Sequence, residues 1–161
     1  MEKQKHVIIY TDGSALGNPG PGGYGVVMRY KDHCRELSGG FRRTTNNRME
    51  ILSAIMGLTL LKEPCHVTLH SDSQYLVNAI TKGWARRWQA KGWMRNAKEK
   101  ALNSDLWEQL LPLLNQHEVA WVWVRGHAGN PDNERCDELA RQAAQQPNLP
   151  PDQIYEEETR A

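Results

Sequence analysis

The sequence predicts an α/β fold, one mixed sheet with helices on its faces. Three observations lead there. Three β-rich runs precede Arg48, helical and extended patterns alternate after it, and 161 residues with 39% hydrophobic content suit one compact domain.

The elements follow in order. Val7 to Tyr10 is an apolar, β-rich run leading into Thr11-Asp12-Gly13-Ser14, so a strand ends near Asp12. Gly17-Asn18-Pro19-Gly20-Pro21-Gly22-Gly23 reads as a tight strand-to-strand turn, because the lysine of a phosphate-cradling GxxxxGK[ST] loop is missing. Tyr24 to Tyr30 and Leu37 to Arg42 complete an antiparallel meander. From Arg48 to Lys62, the residues Met49, Leu52, Ile55, Met56 and Leu60 recur at helical spacing, and Pro64 follows as a stop. Nearly every face of that helix is apolar, which predicts burial. Val67-Thr68-Leu69 is a short strand with Asp72 just beyond it, followed by a helix from about Ser73 to Ile80 and another from about Asp105 to Leu114. Val119 to Val124 is apolar throughout, which suits a central strand covered on both faces. Asn130-Pro131 starts the last helix, with Asn as cap and Pro in the first turn; Cys136, Leu139, Ala140 and Ala143 form its apolar stripe. The domain is expected to span residues 1–146, and the acidic, proline-bearing residues 147–161 to form a flexible tail.

Composition narrows the function classes. Mean hydropathy is -0.70, and no apolar run approaches the ~18 residues that cross a bilayer, so no membrane partner is expected. MEKQKHVIIY has no apolar h-region, so no secretory signal is expected. Cys34, Cys65 and Cys136 are odd in number and lack CxxC spacing, which fits a reducing compartment and argues against a disulfide framework or zinc site. A cytoplasmic monomer is the simplest expectation.

The net charge of +1 hides an asymmetry. Between Lys82 and Lys100 stand Lys82, Arg86, Arg87, Lys91, Arg95, Lys98 and Lys100 against Glu99 alone. Trp84, Trp88 and Trp93 interleave these cations, the chemistry of a nucleic-acid surface: cations neutralise phosphates while indoles pack on sugars or bases. The plainer reading is an amphipathic helix with its tryptophans in the core. Trp84 and Trp88 are i,i+4, so at least one belongs there, and Trp107, Trp121 and Trp123 are core by default.

Four carboxylates stand out by position. Asp12 and Asp72 follow strands in similar contexts (YTDGS, HSDSQ), Glu50 sits in the first turn of the apolar helix, and Asp137 lies near the start of the last helix. If the first and fourth strands are parallel neighbours, Asp12 and Asp72 converge at one sheet end. Carboxylates gathered without an adjacent lysine repel one another and call for a divalent cation, and an all-oxygen set suits Mg²⁺ or Mn²⁺. Each also has a local reading: Asp72 as a helix cap, Asp12-Gly13 as a turn pair, Glu50 against the helix dipole, Asp137 paired with Arg141. Arg125-Gly126-His127-Ala128-Gly129 sets a histidine between glycines in a loop after a strand, placed to move protons beside metals.

Taken in order, YTDGSALGNPGPGGYG, RTTNNRMEILSAI, LHSDSQYL and VRGHAGNPDNERCDELA resemble the signature segments of type 1 ribonuclease H, over about His6 to Ala144. The segment at about 82–100 occupies the place of the basic handle in the bacterial form. The resemblance implies a ribonuclease H-like five-stranded sheet in the order 3-2-1-4-5 and cleavage of the RNA strand of RNA–DNA hybrids. It implies Asp12, Glu50, Asp72 and Asp137 as catalytic metal ligands and His127 as an auxiliary proton-transfer residue. It further implies minor-groove contacts from Asn18, Asn46 and Gln74, a DNA phosphate held by Arg43, Thr45 and Asn103, and hybrid contacts from handle residues Trp84, Arg86, Arg87, Trp88 and Lys91.

Two Mg²⁺ ions, with Mn²⁺ as substitute, suit phosphodiester hydrolysis, since one activated water and one stabilised leaving oxygen are needed. Two readings stay open beside it. A metal-dependent DNA-processing nuclease of the same fold is separated by 2′-OH dependence, and a non-catalytic hybrid-binding module by the absence of cleavage. A nucleotide-binding oxidoreductase is disfavoured, because no GxGxxG follows the first strand.

Overall fold

The computed structural model describes residues 4–125 and 129–160. Among them β1 (Lys5–Ala15), β2 (Gly20–Tyr30) and β3 (His33–Thr44) form the meander, and β4 (Cys65–Ser71) and β5 (Glu118–Trp123) complete a sheet ordered β3-β2-β1-β4-β5. The helices are α1 (Asn46–Thr59), α2 (Gln74–Thr81), α3 (Trp84–Ala90), α4 (Ser104–Gln116), α5 (Pro131–Ala144) and α6 (Gln153–Glu158). β1 pairs antiparallel with β2 and parallel with β4, and β4 parallel with β5. The α1–α4 side carries the main core, around Ile9, Val26, Met49, Ile51, Leu58, Leu69 and Trp107. A smaller cluster of Val27, Cys136 and Leu139 seats α5 on the other face.

Missing side chains let both layers close on the sheet. A Cβ at Gly13 would meet the α1 backbone at Met49 and Glu50, and one at Gly25 would meet the α5 backbone at Cys136. Two bidentate ion pairs then clamp α5 to the meander, Arg29 to Asp132 and Arg135 to Glu36.

Helix caps match local chemistry. Thr45 accepts from Arg48 N at 3.2 Å, Ser73 from Leu76 N at 3.1 Å, and Asn130 from Asp132 N and Asn133 N. The Thr45 cap starts α1 at Asn46 rather than Arg48, which puts Glu50 in the second turn, not the first.

Three expectations need correction. β5 is an edge strand, not a central one: Val119 and Trp121 pack toward the core while Ala120 and Val122 lie open. Trp123, expected in the core, is 44% exposed and donates its indole N–H to the Asp72 carbonyl at 3.2 Å. The segment expected to stand apart as a tail packs on the domain. Arg42 N donates to Pro150 O at 2.9 Å, and Asp152 is buried against Arg48 and Thr44. The physical cause is Arg48 itself, 2% exposed, whose charge needs carboxylate partners and finds Asp105 and Asp152. Burial works against that charge, but the two carboxylates outweigh it and raise the Arg48 pKa.

Candidate active site

Parallel pairing decides where the carboxylates meet. The β1–β4 register sets Thr11 opposite Ser71, so Asp12 and Asp72 leave the sheet side by side at the carboxyl ends of two strands. Glu50 reaches them because α1 lies directly on Gly13, whose N–H donates to Glu50 Oε1 and also to Asp12 Oδ1. Oxygens of Asp12, Glu50 and Asp72 lie within 4.8 Å of one another. Asp137, from the second turn of α5, lines the same cleft of ≈ 330 Å³. Two of the local readings can be judged here. Ser73, not Asp72, caps α2, whereas Asp137 does pair with Arg141, at 3.0 Å, while facing the cleft.

The cluster is under electrostatic stress. Asp12 is 4% and Glu50 6% exposed. Burial pushes the Asp12 carboxyl up to about 8; the contact with Glu50 opposes this, and the charges of Asp72 and Asp137 add to it. Burial, with the Asp12 and Asp72 charges, also holds Glu50 well above the usual carboxylate range. Clustered, mutually repelling oxygens with no cation among the described residues that line the cleft form a donor set that fits a hard divalent metal.

A pH dependence follows, with a definite sign. A carboxyl whose folded pKa lies above its unfolded value favours folding while protonated and loses that contribution as pH rises through the folded value. His70 and His117, depressed by burial, act in the opposite sense below their ordinary value of 6.5. Between pH 6.5 and 8, then, metal-free protein should lose stability from Asp12, at up to about 1.4 kcal/mol per pH unit at the lower end and roughly half that as the carboxyl ionises near pH 8. Urea melts in chelator measure this, and millimolar Mg²⁺ should flatten the slope. A flat slope without metal would show that the carboxylates are not strained.

The remaining residues singled out from sequence fall into three groups. Asn18 Oδ1 accepts from Asn46 N at 3.1 Å, and Asn46 Oδ1 from Ala15 N at 2.6 Å, which ties the β1–β2 turn to the start of α1; Gln74 is exposed at the start of α2. Arg43 is exposed at the end of β3, and Thr45 and Asn103 are half-buried nearby, each in contact with Arg48. In the handle, Arg86, Arg87 and Lys91 are exposed, whereas Trp84 and Trp88 are half-buried and pack on the core. Trp88 lies 6.3 Å from Trp107, centroid to centroid, and Arg86 is tied to Asn115 at 3.1 Å. His127 lies outside the described residues.

Sequence reasoning missed Glu134 and Asn47, which also line the cleft, and the buried Arg48, which contacts Thr45 and Asn103. Glu134 was legible in principle, since it precedes Asp137 by three residues and shares its helix face.

Comparison with known proteins adds to this geometry. Residues 4–145 match the family model described as RNase H. The chain is 66% identical over 154 residues to a ribonuclease H of Syntrophus aciditrophicus, covering 96% of this chain and 89% of the relative. It is 66% identical over 148 residues to a ribonuclease H of Desulforamulus reducens, covering 92% and 93%. Among solved structures it resembles LC9-RNase H1, described as a type 1 RNase H with the type 2 active-site motif. The TM-score is 0.78 at 34% identity, covering 89% of this chain and 74% of the other.

Proposed function

The chain belongs to the ribonuclease H family, and from that premise we propose that Asp12, Glu50, Asp72 and Asp137 hold two Mg²⁺ ions, with Mn²⁺ as substitute. It is an endoribonuclease that hydrolyses the RNA strand of RNA–DNA hybrids. The observation that carries the metal proposal is the meeting of three acidic side chains at the carboxyl ends of β1 and β4. Bound there, the ions supply an activated water and neutralise charge on the leaving oxygen, giving 5′-phosphate and 3′-hydroxyl ends.

The chain's own residues do the rest. Asp12, whose carboxylate faces those of both Glu50 and Asp72, would be the central ligand of the metal set. Glu50 is held by the Gly13 N–H, so its carboxylate is oriented both to bind metal and to meet the ribose 2′-OH, the group that separates RNA from DNA. Asp137 closes the cleft from α5, and His127 moves a proton at the reacting phosphate. Asn18, Asn46 and Gln74 meet base edges in the minor groove, and Arg43, Thr45 and Asn103 hold a phosphate of the DNA strand. The enzyme works in the cytoplasm, as a monomer; its three free cysteines fit that reducing compartment. Among the described residues no helix is long and apolar enough to cross a membrane.

End-labelled RNA in a DNA hybrid tests this, in Mg²⁺, in excess chelator, and beside an all-DNA duplex. RNA cleavage should occur only with metal and only in the hybrid. Cleavage that persists in chelator overturns the metal assignment, and cleavage of the DNA duplex overturns the 2′-OH discrimination.

The handle gives a second prediction. Arg87→Ala with Lys91→Ala should weaken hybrid binding and reduce the salt slope by about 1 to 2, since each lost phosphate contact removes roughly 0.9 of slope. Arg86→Ala tests the third handle cation separately, since its guanidinium donates to Asn115 at 3.1 Å while that of Arg87 donates to the Lys82 carbonyl at 3.2 Å. Binding titrations in Ca²⁺ across salt concentrations read the difference. An unchanged slope in the double variant would take these two cations out of the interface.

A further inference from the structure

Arg48 and the C-terminal segment lie directly behind Arg43, Thr45 and Asn103, and each of those three touches one of them. Thr45 Oγ1 accepts from Arg48 N at 3.2 Å. Asn103, held at φ 64, accepts from Arg48 Nη1 at 3.4 Å and donates to Tyr75 Oη at 3.2 Å. The Arg43 guanidinium sits 5.8 Å from the Tyr155 ring centroid, and that of Arg48 lies 5.6 Å from the same ring. Asp152 anchors the segment: it is buried, accepts from Arg48 Nε at 2.7 Å and Nη2 at 3.0 Å, and accepts from Thr44 Oγ1 at 2.7 Å. Around that anchor, Glu156 pairs with Arg42 at 2.9 Å and Glu158 with Lys100 at 3.7 Å.

We propose that the C-terminal segment is a positioning element for the DNA-strand phosphate, with Asp152 orienting Arg48 and Tyr155 holding Arg43 toward the substrate. This deepens, and rests on, the reading of Arg43, Thr45 and Asn103 as that phosphate's ligands. The physical argument concerns preorganisation. An exposed arginine at a strand end samples many rotamers, and confining it before binding removes an entropic penalty from association. The Tyr155 ring confines Arg43 while leaving its N–H groups free for a phosphate, because cation–π contact uses the face of the guanidinium and not its edge. Asn103 is in a left-handed conformation that non-glycine residues adopt uncommonly, and the Arg48 and Tyr75 contacts keep its amide fixed there. None of these groups touches the carboxylate cleft, so the effect belongs to substrate affinity and not to the chemical step.

The test uses the full-length enzyme and a set of hybrids, each with one uncharged methylphosphonate at a successive position of the DNA strand. Binding is measured in Ca²⁺ and single-turnover cleavage in Mg²⁺. Wild type should lose affinity at one position. Tyr155→Leu should bind the unmodified hybrid about 3- to 10-fold more weakly, with unchanged cleavage at saturating enzyme, and should lose most of the sensitivity at that position. Tyr155→Phe, which keeps the ring, should behave as wild type. In an Arg43→Ala background, Tyr155→Leu should have a much smaller effect, limited to what the ring does for Arg48. Thermal melts of each variant confirm folding. The inference is overturned if Tyr155→Leu keeps full sensitivity, or if it weakens binding equally with and without Arg43. A wild type with no sensitive position, together with an inert Arg43→Ala, overturns the phosphate reading itself and the inference with it.

Discussion

Asp12→Asn should abolish turnover and make the metal-free protein more stable. Both effects come from one group. Asp12 faces both Glu50 and Asp72, so removing its charge would take the central carboxylate out of the proposed metal-binding set. Single-turnover cleavage in Mg²⁺ should fall by at least ~10⁴-fold, beyond what loss of a proton shuttle typically produces. The stability gain has the opposite origin. Burial and the Asp72 and Asp137 charges push the Asp12 carboxyl up to about 8, so near neutral pH the folded state carries a strained group that the unfolded state does not. Asparagine removes the charge and keeps an oxygen to accept the Gly13 N–H, now bonded at 2.9 Å. The expected gain at pH 7.5 in chelator is on the order of 2–4 kcal/mol, read as a rise in melting temperature. Mg²⁺ should then stabilise wild type more than the variant. A variant that turns over, or that melts lower than wild type without metal, contradicts the assignment.

What the sequence makes legible here is local or periodic. Asn130-Pro131 marks the start of α5 because a capping side chain and a fixed φ act within one turn. The position of Asp12 and Asp72 just past two strands is equally readable, and it becomes a site only through parallel pairing of β1 with β4. The rest depends on contacts that no local pattern records. An apolar run such as Val119 to Val124 reads the same at a sheet edge and at its centre, and the difference lies in what covers Ala120 and Val122. Arg48 is buried only because Asp105 and Asp152 reach it from 57 and 104 residues away. By composition residues 147–161 read as a tail, whereas that distant charge requirement holds the segment around Asp152 against the domain. The tryptophans of the handle divide for a similar reason: Trp88 turns inward to Trp107, and its neighbours Arg87 and Lys91 remain in solvent.

Gly13→Ala should cost both stability and catalysis, although it adds a single methyl group. A Cβ at this position falls inside van der Waals distance of the Met49 and Glu50 backbone, and 2.7 Å from Met49 O. Those atoms belong to a buried helix, so no flexible side-chain end can give way; β1 and α1 must separate. The separation strikes the site directly. Gly13 follows Asp12, and its N–H bonds the Glu50 carboxylate, so a shift of about 1 Å moves both oxygens that face the proposed metals. Expected results are a loss of about 3 kcal/mol or more in urea unfolding, a weaker Mg²⁺ titration, and at least ~10²-fold slower single-turnover cleavage. Gly57→Ala is the comparison. It lies on the same helix, and the nearest atoms its Cβ would meet are side-chain methyls of Ile9, at 3.1 Å, and Val26, at 3.4 Å, away from the carboxylates. That variant should lose less stability and retain near-normal cleavage by the folded fraction. If the two alanine variants cleave alike, the close approach of α1 to Gly13 is a packing feature only, and something other than the Gly13 N–H orients Glu50.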